Sequence, residues 1–150
     1  MENNKIYRPS EADYDEITRL WEASVRATHT FLTEEDILFF KPMVRNQALQ
    51  AAELYCLKDD KGAITAFIGI EHSKLEMLFI HPGQRGKGLG KCLVMYAIDE
   101  LGVDIVDVNE QNEQAAGFYY KMGFALVSRD EVDGMGKPFP ILHLGLVKDK

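Results

Sequence analysis

A single α/β (α+β) domain built on a mixed sheet is the fold class this sequence predicts. Its 150 residues fit one domain, because domains commonly run roughly 100–200 residues. The 46% apolar and 27% charged composition is that of a chain able to bury a core rather than stay disordered. Apolar runs with strand character also interleave with stretches at helical spacing, in the order strand, two helices, three strands, then helix and strand in alternation. No repeat, low-complexity stretch or linker interrupts that order.

The elements follow in turn. Lys5 to Arg8 reads as a short first strand closed by Pro9. Ser10 or Asp13 can cap a helix to about Thr28, on which Ile17, Leu20, Trp21, Ser24, Val25 and Thr28 recur on one stripe. Thr33 followed by Glu34, Glu35 and Asp36 starts a second helix, with acids suited to its first turn, and Pro42 is expected to break or kink it. Glu53–Lys58 and Ala63–Glu71 read as a hairpin around Lys58–Gly62, and Leu75–Ile80 as a buried strand. Beyond a glycine-rich turn, Leu89, Leu93, Val94, Tyr96, Ala97 and Leu101 mark a helix, and Ile105–Val108 a short strand. Asn112 can cap a helix carrying Ala115, Phe118, Tyr119 and Met122 on one face, with Gly123 at its end. Ala125–Arg129 and Ile141–Leu146 complete the strands.

Charge narrows the function. Lys and Arg number 17 against 24 Asp and Glu, a net charge of −7, which opposes nucleic-acid binding and does not draw the chain to an anionic membrane. No apolar run reaches the ~18–20 residues of a membrane span. Met1–Lys5 lacks a signal-peptide core, and Cys56 and Cys92 make neither a disulfide framework nor a zinc site, so a reduced, cytoplasmic protein without metal is expected. Between Met77 and Ile98 there is no acid, yet Arg85, Lys87 and Lys91 fall there. This basic island in an acidic chain marks a candidate anion site.

The island contains His81-Pro82-Gly83-Gln84-Arg85-Gly86-Lys87-Gly88-Leu89-Gly90-Lys91, set between a strand and a helix. Glycines let backbone N–H groups turn toward a ligand, and a helix start favours anions. The dinucleotide spacing Gly-x-Gly-x-x-Gly fails, because Lys91 follows Gly86 and Gly88, and Leu93 follows Gly88 and Gly90, where the third glycine should stand. Walker A fails too, since Cys92 follows Gly90-Lys91. Arg-x-x-Gly-x-Gly, on Arg85, Gly88 and Gly90, is satisfied.

Arg85-Gly86-Lys87-Gly88-Leu89-Gly90 resembles the pyrophosphate loop of the GNAT superfamily of acetyl-CoA-dependent N-acetyltransferases. Asn112, Ala115, Phe118, Tyr119, Lys121, Gly123 and Phe124 match its second signature, Asn-x-x-Ala-x-x-Phe/Leu-Tyr-x-Lys-x-Gly-Phe, at every defined position. Trp21, Ser24, Val25, Ala27, Thr28, His29, Phe31 and Leu32, with Val108–Asn112, look like the small bacterial YjaB-like branch. The resemblance implies a mostly antiparallel sheet of six or seven strands, with splayed central strands and about four helices. It implies acetyl-CoA as co-substrate, with Leu78, Phe79 and Ile80 beside its pantetheine arm and the Arg85–Lys91 backbone on its pyrophosphate.

Acyl transfer from a thioester to an amine needs a donor for the carbonyl oxygen, a proton for the leaving thiolate and a neutral amine. By resemblance Tyr119 is the general acid, while Asn109 orients a water or the pantetheine amide and Asn112 does the latter or caps its helix. No base is assigned: Glu71, His72 and Glu76 all stand near the loop-side strand. Trp21, Ser24, Thr28, His29 and Phe31 form the candidate acceptor wall, against the alternative that the hydroxyls bond to their own helix. The acceptor is expected to be a small-molecule or peptide amine, and the protein a monomer or homodimer. The competing expectation is a non-catalytic acyl-CoA-binding module.

Overall fold

The computed structural model describes residues 5–147. Six strands, β1 (Glu53–Lys58), β2 (Ile64–Glu71), β3 (Lys74–Ile80), β4 (Ile105–Asn109), β5 (Phe124–Asp130) and β6 (Ile141–Leu146), form one sheet in the order β1-β2-β3-β4-β6-β5. Four main helices flank it: α1 (Tyr14–Thr28), α2 (Glu34–Met43), α4 (Leu89–Leu101) and α5 (Glu113–Lys121), with α3 (Leu49–Ala51) a single short turn.

Every neighbouring pair is antiparallel except β3 and β4, which are parallel and paired only at Lys74↔Ile105 and Leu75↔Val106. Past those two rungs the strands diverge. Elsewhere each runs on beside its other neighbour, β3 on β2 as far as Ile80 and β4 on β6 as far as Asn109. The sheet is therefore two antiparallel halves joined at a short seam, with a wedge-shaped gap above it. That gap corrects the sequence reading of Leu75–Ile80 as a buried strand: Leu75 is buried, but the residues beyond it are only partly covered or exposed.

Strand alternation divides the interior between the two faces. Ala66, Ile68 and Ile70 of β2 join Leu93, Val94 and Ala97 of α4 and Tyr119 of α5, whereas Phe67, and Ile64 beyond a bulge that shifts the register, join Ile17, Leu20, Trp21 and Val25 of α1. Serving both faces leaves β2 buried from Ile64 through Ile70.

Local chemistry explains most boundaries. Thr33 and Asp36 cap α2 reciprocally: the Asp36 N–H donates to Thr33 Oγ1 at 3.1 Å and the Thr33 N–H to Asp36 Oδ2 at 3.0 Å. Asp59 Oδ1 accepts from the N–H groups of Lys61 and Ala63, forming the β1–β2 turn. One expectation fails and another is met only in part. Lys5–Arg8 is not a strand; only Tyr7 bridges to Cys56, through a reciprocal pair of 2.9 Å hydrogen bonds. Of the break or kink expected at Pro42, the break does not occur, but the regular α ladder ends one residue later. Pro42 lies inside α2, and the backbone continues through a wider π turn (Val44–Ala48) into α3. Proline removes an N–H from the α ladder, and the wider turn directly after it absorbs the change.

Candidate active site

The strand-to-helix connection builds an anion cradle. After β3 a tight turn (Pro82–Gln84) is pinned by the Gly83 N–H donating to His81 Nδ1 at 3.1 Å. Gly86 and Gly88 have φ of +82° and +79°, and a Cβ at either would meet no atom within 4 Å. In this chain it is thus the left-handed backbone that requires Gly88. Gly90 is different. A Cβ there would lie 3.0 Å from Ile80 Cδ1 and 3.6 Å from Phe118 Cζ, so its smallness lets α4 sit against β3. The first-turn N–H groups of α4 have no carbonyl of their own helix to bond, and they give this end a partial positive charge.

A cavity of about 270 Å³ runs from this loop along β3 toward α5 and the end of α1. Arg85, Gly86, Gly88, Leu89, Gly90 and Lys91 border one end, and Leu78, Phe79 and Ile80 form its β3 wall. Asn112, Ala115, Phe118 and Tyr119 close it from α5. Lys87 is not among the residues lining it: its Nζ donates to Gln84 Oε1 at 3.0 Å, and it borders a separate surface hollow beside the β1–β2 turn. A second hollow of about 170 Å³ lies in the gap between β3 and β4 and includes Glu76, Asp107 and Asn109, while Tyr119, His29 and Asn112 line both spaces.

Tyr119 is 5% exposed, its ring held edge-on by Phe118 and Phe124 at centroid distances of 5.3 and 6.0 Å. No hydrogen bond to its hydroxyl occurs among the described residues. Burial pushes the phenol well above its usual value of 10, so it keeps its proton at neutral pH. Tyr120, one residue on, is 45% exposed, as helical rotation requires. Asn112 Oδ1 accepts from the Ala115 N–H at 3.3 Å and caps α5, and its Nδ2 lies 3.5 Å from His29 Nε2. Asn109 Oδ1 accepts from the Gln111 N–H at 3.0 Å.

The opposite wall comes from the end of α1. Ser24, Thr28 and His29 line the cavity. Thr28 Oγ1 donates to the Ser24 carbonyl at 2.9 Å, the self-satisfied arrangement, and also lies 2.8 Å from His29 Nδ1. Burial lowers the His29 pKa to about 4, so this imidazole is neutral at pH 7. Its ring neighbours Phe31 at 5.3 Å and Phe79 at 6.1 Å, and Phe31 continues to Phe139, which also meets Phe40. Phe31 thus belongs to an aromatic strap tying the β5–β6 connection to α1 and α2. Trp21 does not line the cavity; it is 5% exposed within the α1 core.

Sequence patterns missed a string of charges across the foot of the gap. Lys74 Nζ lies 3.6 Å from Glu76 Oε2 and 2.6 Å from Asp107 Oδ2. Asp107 Oδ1 is 2.7 Å from His143 Nδ1, and Asp130 Oδ2 is 2.7 Å from His143 Nε2. Of the base candidates, Glu76 alone borders the gap, with its pKa raised by burial; Glu71 and His72 lie at the β2–β3 turn.

Comparison with known proteins agrees with this geometry. The acetyltransferase (GNAT) domain family matches residues 28–139. The peptidyl-lysine N-acetyltransferase YjaB of Escherichia coli is 38% identical over 142 residues, covering 95% of this chain and 96% of that protein. The solution structure of apo YjaB superposes with a TM-score of 0.88 over 99% of this chain and 100% of that one, at 36% identity. The PaiA N-acetyltransferase of Thermoplasma acidophilum, solved with coenzyme A, shares the fold at a TM-score of 0.71 and 21% identity, with 95% and 98% of the two chains covered. The chain belongs to the GNAT acetyltransferase family. It is an N-acetyltransferase that uses acetyl-CoA, and the glycine cradle and adjoining cavity are suited to hold that co-substrate.

Proposed function

We infer that this protein acetylates lysine side chains of peptides or proteins by direct attack of the amine on bound acetyl-CoA, with Tyr119 as general acid. The observation that carries the reading is a buried, proton-retaining phenol that lines the same cavity as Leu78–Ile80 and the anion cradle. The peptidyl-lysine acceptor is supported by YjaB of Escherichia coli, a relative that spans nearly the whole chain.

Each residue has a part. Backbone N–H groups from Arg85 to Lys91, with the Arg85 and Lys91 side chains, hold the pyrophosphate. Leu78, Phe79 and Ile80 flank the pantetheine arm, and their backbone polarises the thioester carbonyl. Asn109 and Asn112 orient the arm or a water. Ser24, Thr28, His29 and Phe31 border the acceptor, with Trp21 supporting them from the core. A neutral His29 lets a lysine ammonium enter without charge repulsion. That amine, with a reference pKa of about 10.4, gives up a proton before it attacks. Tyr119 protonates the departing thiolate.

The test is Tyr119→Phe, assayed by release of free CoA with a lysine peptide. Turnover should fall by about 10²-fold with acetyl-CoA affinity little changed, in the range expected for general acid catalysis. Unchanged turnover removes Tyr119 from the reaction. Tight acetyl-CoA binding by the wild-type protein, without acetylation of any lysine peptide, overturns the acceptor assignment.

A further inference from the structure

We propose that Lys74, Asp107 and His143 are positioning residues for acyl transfer: their string of ion pairs fastens the foot of the β3–β4 gap and so sets the alignment of donor and acceptor. The inference rests on the transfer reading above and adds residues that neither loop nor signature contains.

The argument starts from the seam. Backbone pairing joins β3 to β4 at only two positions, ending at Leu75 and Val106. Lys74, itself one of the two paired residues, reaches from β3 to Asp107 of β4, one residue past the last rung, at 2.6 Å and stands 3.6 Å from Glu76, an ionic stitch at the end of the ladder. The second Asp107 oxygen meets His143 of β6, the residue directly opposite it in register, and His143 continues to Asp130 of β5. The string therefore crosses all three strands of one half of the sheet and ties them to β3 of the other. Its inner members, Glu76 and Asp107, border the same hollow as Tyr119, Asn109 and His29. A shift of β4 against β3 changes the width of the space in which thioester and amine meet, and small misplacements there are expensive in rate.

The chemistry of His143 gives the string a titratable member. Carboxylates only accept hydrogen bonds, so two carboxylate contacts at 2.7 Å require both imidazole nitrogens to carry hydrogen. The charged groups facing His143 are Asp107 from β4 and Asp130 from β5, with Lys74 and Glu76 of β3 reached through Asp107. Arg129 beside Asp130 is engaged with Glu110 and Glu131. Both facing carboxylates raise the imidazole pKa, in agreement with the geometry. On deprotonation one ring nitrogen presents a lone pair to a carboxylate, and the stitch loosens.

Two measurements test this. In the first, kcat and the acetyl-CoA KM of wild type and His143→Gln are followed from about pH 6 to about pH 9 with one lysine peptide, a range spanning the histidine titration. The wild-type-to-variant ratio of kcat cancels the acceptor's own ionisation. It should be about tenfold at the acid end and approach one at the alkaline end, with KM unchanged within about twofold. A ratio flat with pH, or a loss carried by KM, overturns the proposal and leaves a structural role only. In the second, which needs neither variant nor acceptor, NMR follows the His143 ring and the amides of Leu78–Ile80 and Val108–Asn109 through the same titration in the acetyl-CoA complex. Those amides should shift with the ring's own pKa, and their indifference overturns the proposal even if the variant fails to fold. Coupled shifts without peptide acetylation would instead sink the acceptor assignment while sustaining this one.

Discussion

At the scale of single residues, two histidines pull stability in opposite directions with pH. His143 has a folded pKa above its reference of 6.5, so its contribution is fully present below that value and is lost as pH rises through the folded pKa. His29 is buried neutral with a folded pKa of about 4, so its contribution is present above 6.5 and lost as pH falls toward 4. Thermal midpoints of His143→Gln and wild type should therefore converge at alkaline pH. Those of His29→Gln and wild type should converge at acid pH. Calorimetry across the range checks both, and parallel curves would contradict the assignments. Tyr119 was legible in the sequence because a local signature brackets it within one helix. His143 was not, since its partners Asp107 and Asp130 lie 36 and 13 residues away and meet it only through strand register. Trp21 shared a helical stripe with cavity residues, but a stripe spans more than one turn and Trp21 falls where α1 meets the core.

At the scale of elements, the glycine loop makes a sharp prediction. Alanine at Gly88 must hold φ near +79° with nothing gained in packing. Left-handed backbone costs an L-residue about 1–2 kcal/mol, so the thermal midpoint of Gly88→Ala should fall by several degrees or the loop should relax out of shape. In either case acetyl-CoA binding weakens, measurable by calorimetric titration; unchanged affinity would show that the loop does not form the cradle. Elements announced by turn and cap chemistry were read correctly, as at Thr33, the Asp59 turn and Asn112. Those governed by tertiary packing were not, or only in part. Tyr7 forms one bridge rather than a strand, and the run through Pro42 survives because a wider turn takes up the missing donor. The β2–β3 turn uses His72 and Ser73 at φ of 52° and 66°, a left-handed pair with no glycine to signal it.

For the whole molecule, element order was readable but sheet order was not. Nothing local in Ile141–Leu146 says that it inserts between β4 and β5, and that insertion aligns His143 with Asp107. The short seam has a mechanical consequence. On the gap side β3 offers peptide groups with no strand to bond, and an amide-bearing chain laid between the halves would serve as a transient seventh member of the sheet. Amide exchange should then slow in Glu76–Ile80 and Asp107–Asn109 when acetyl-CoA is added, while β1 and β5 at the rims stay as they were. Equal exchange with and without it would refute the idea. If it holds, each catalytic cycle is also a cycle of stiffness: the enzyme is braced by the molecule it consumes and slackens when the spent carrier leaves.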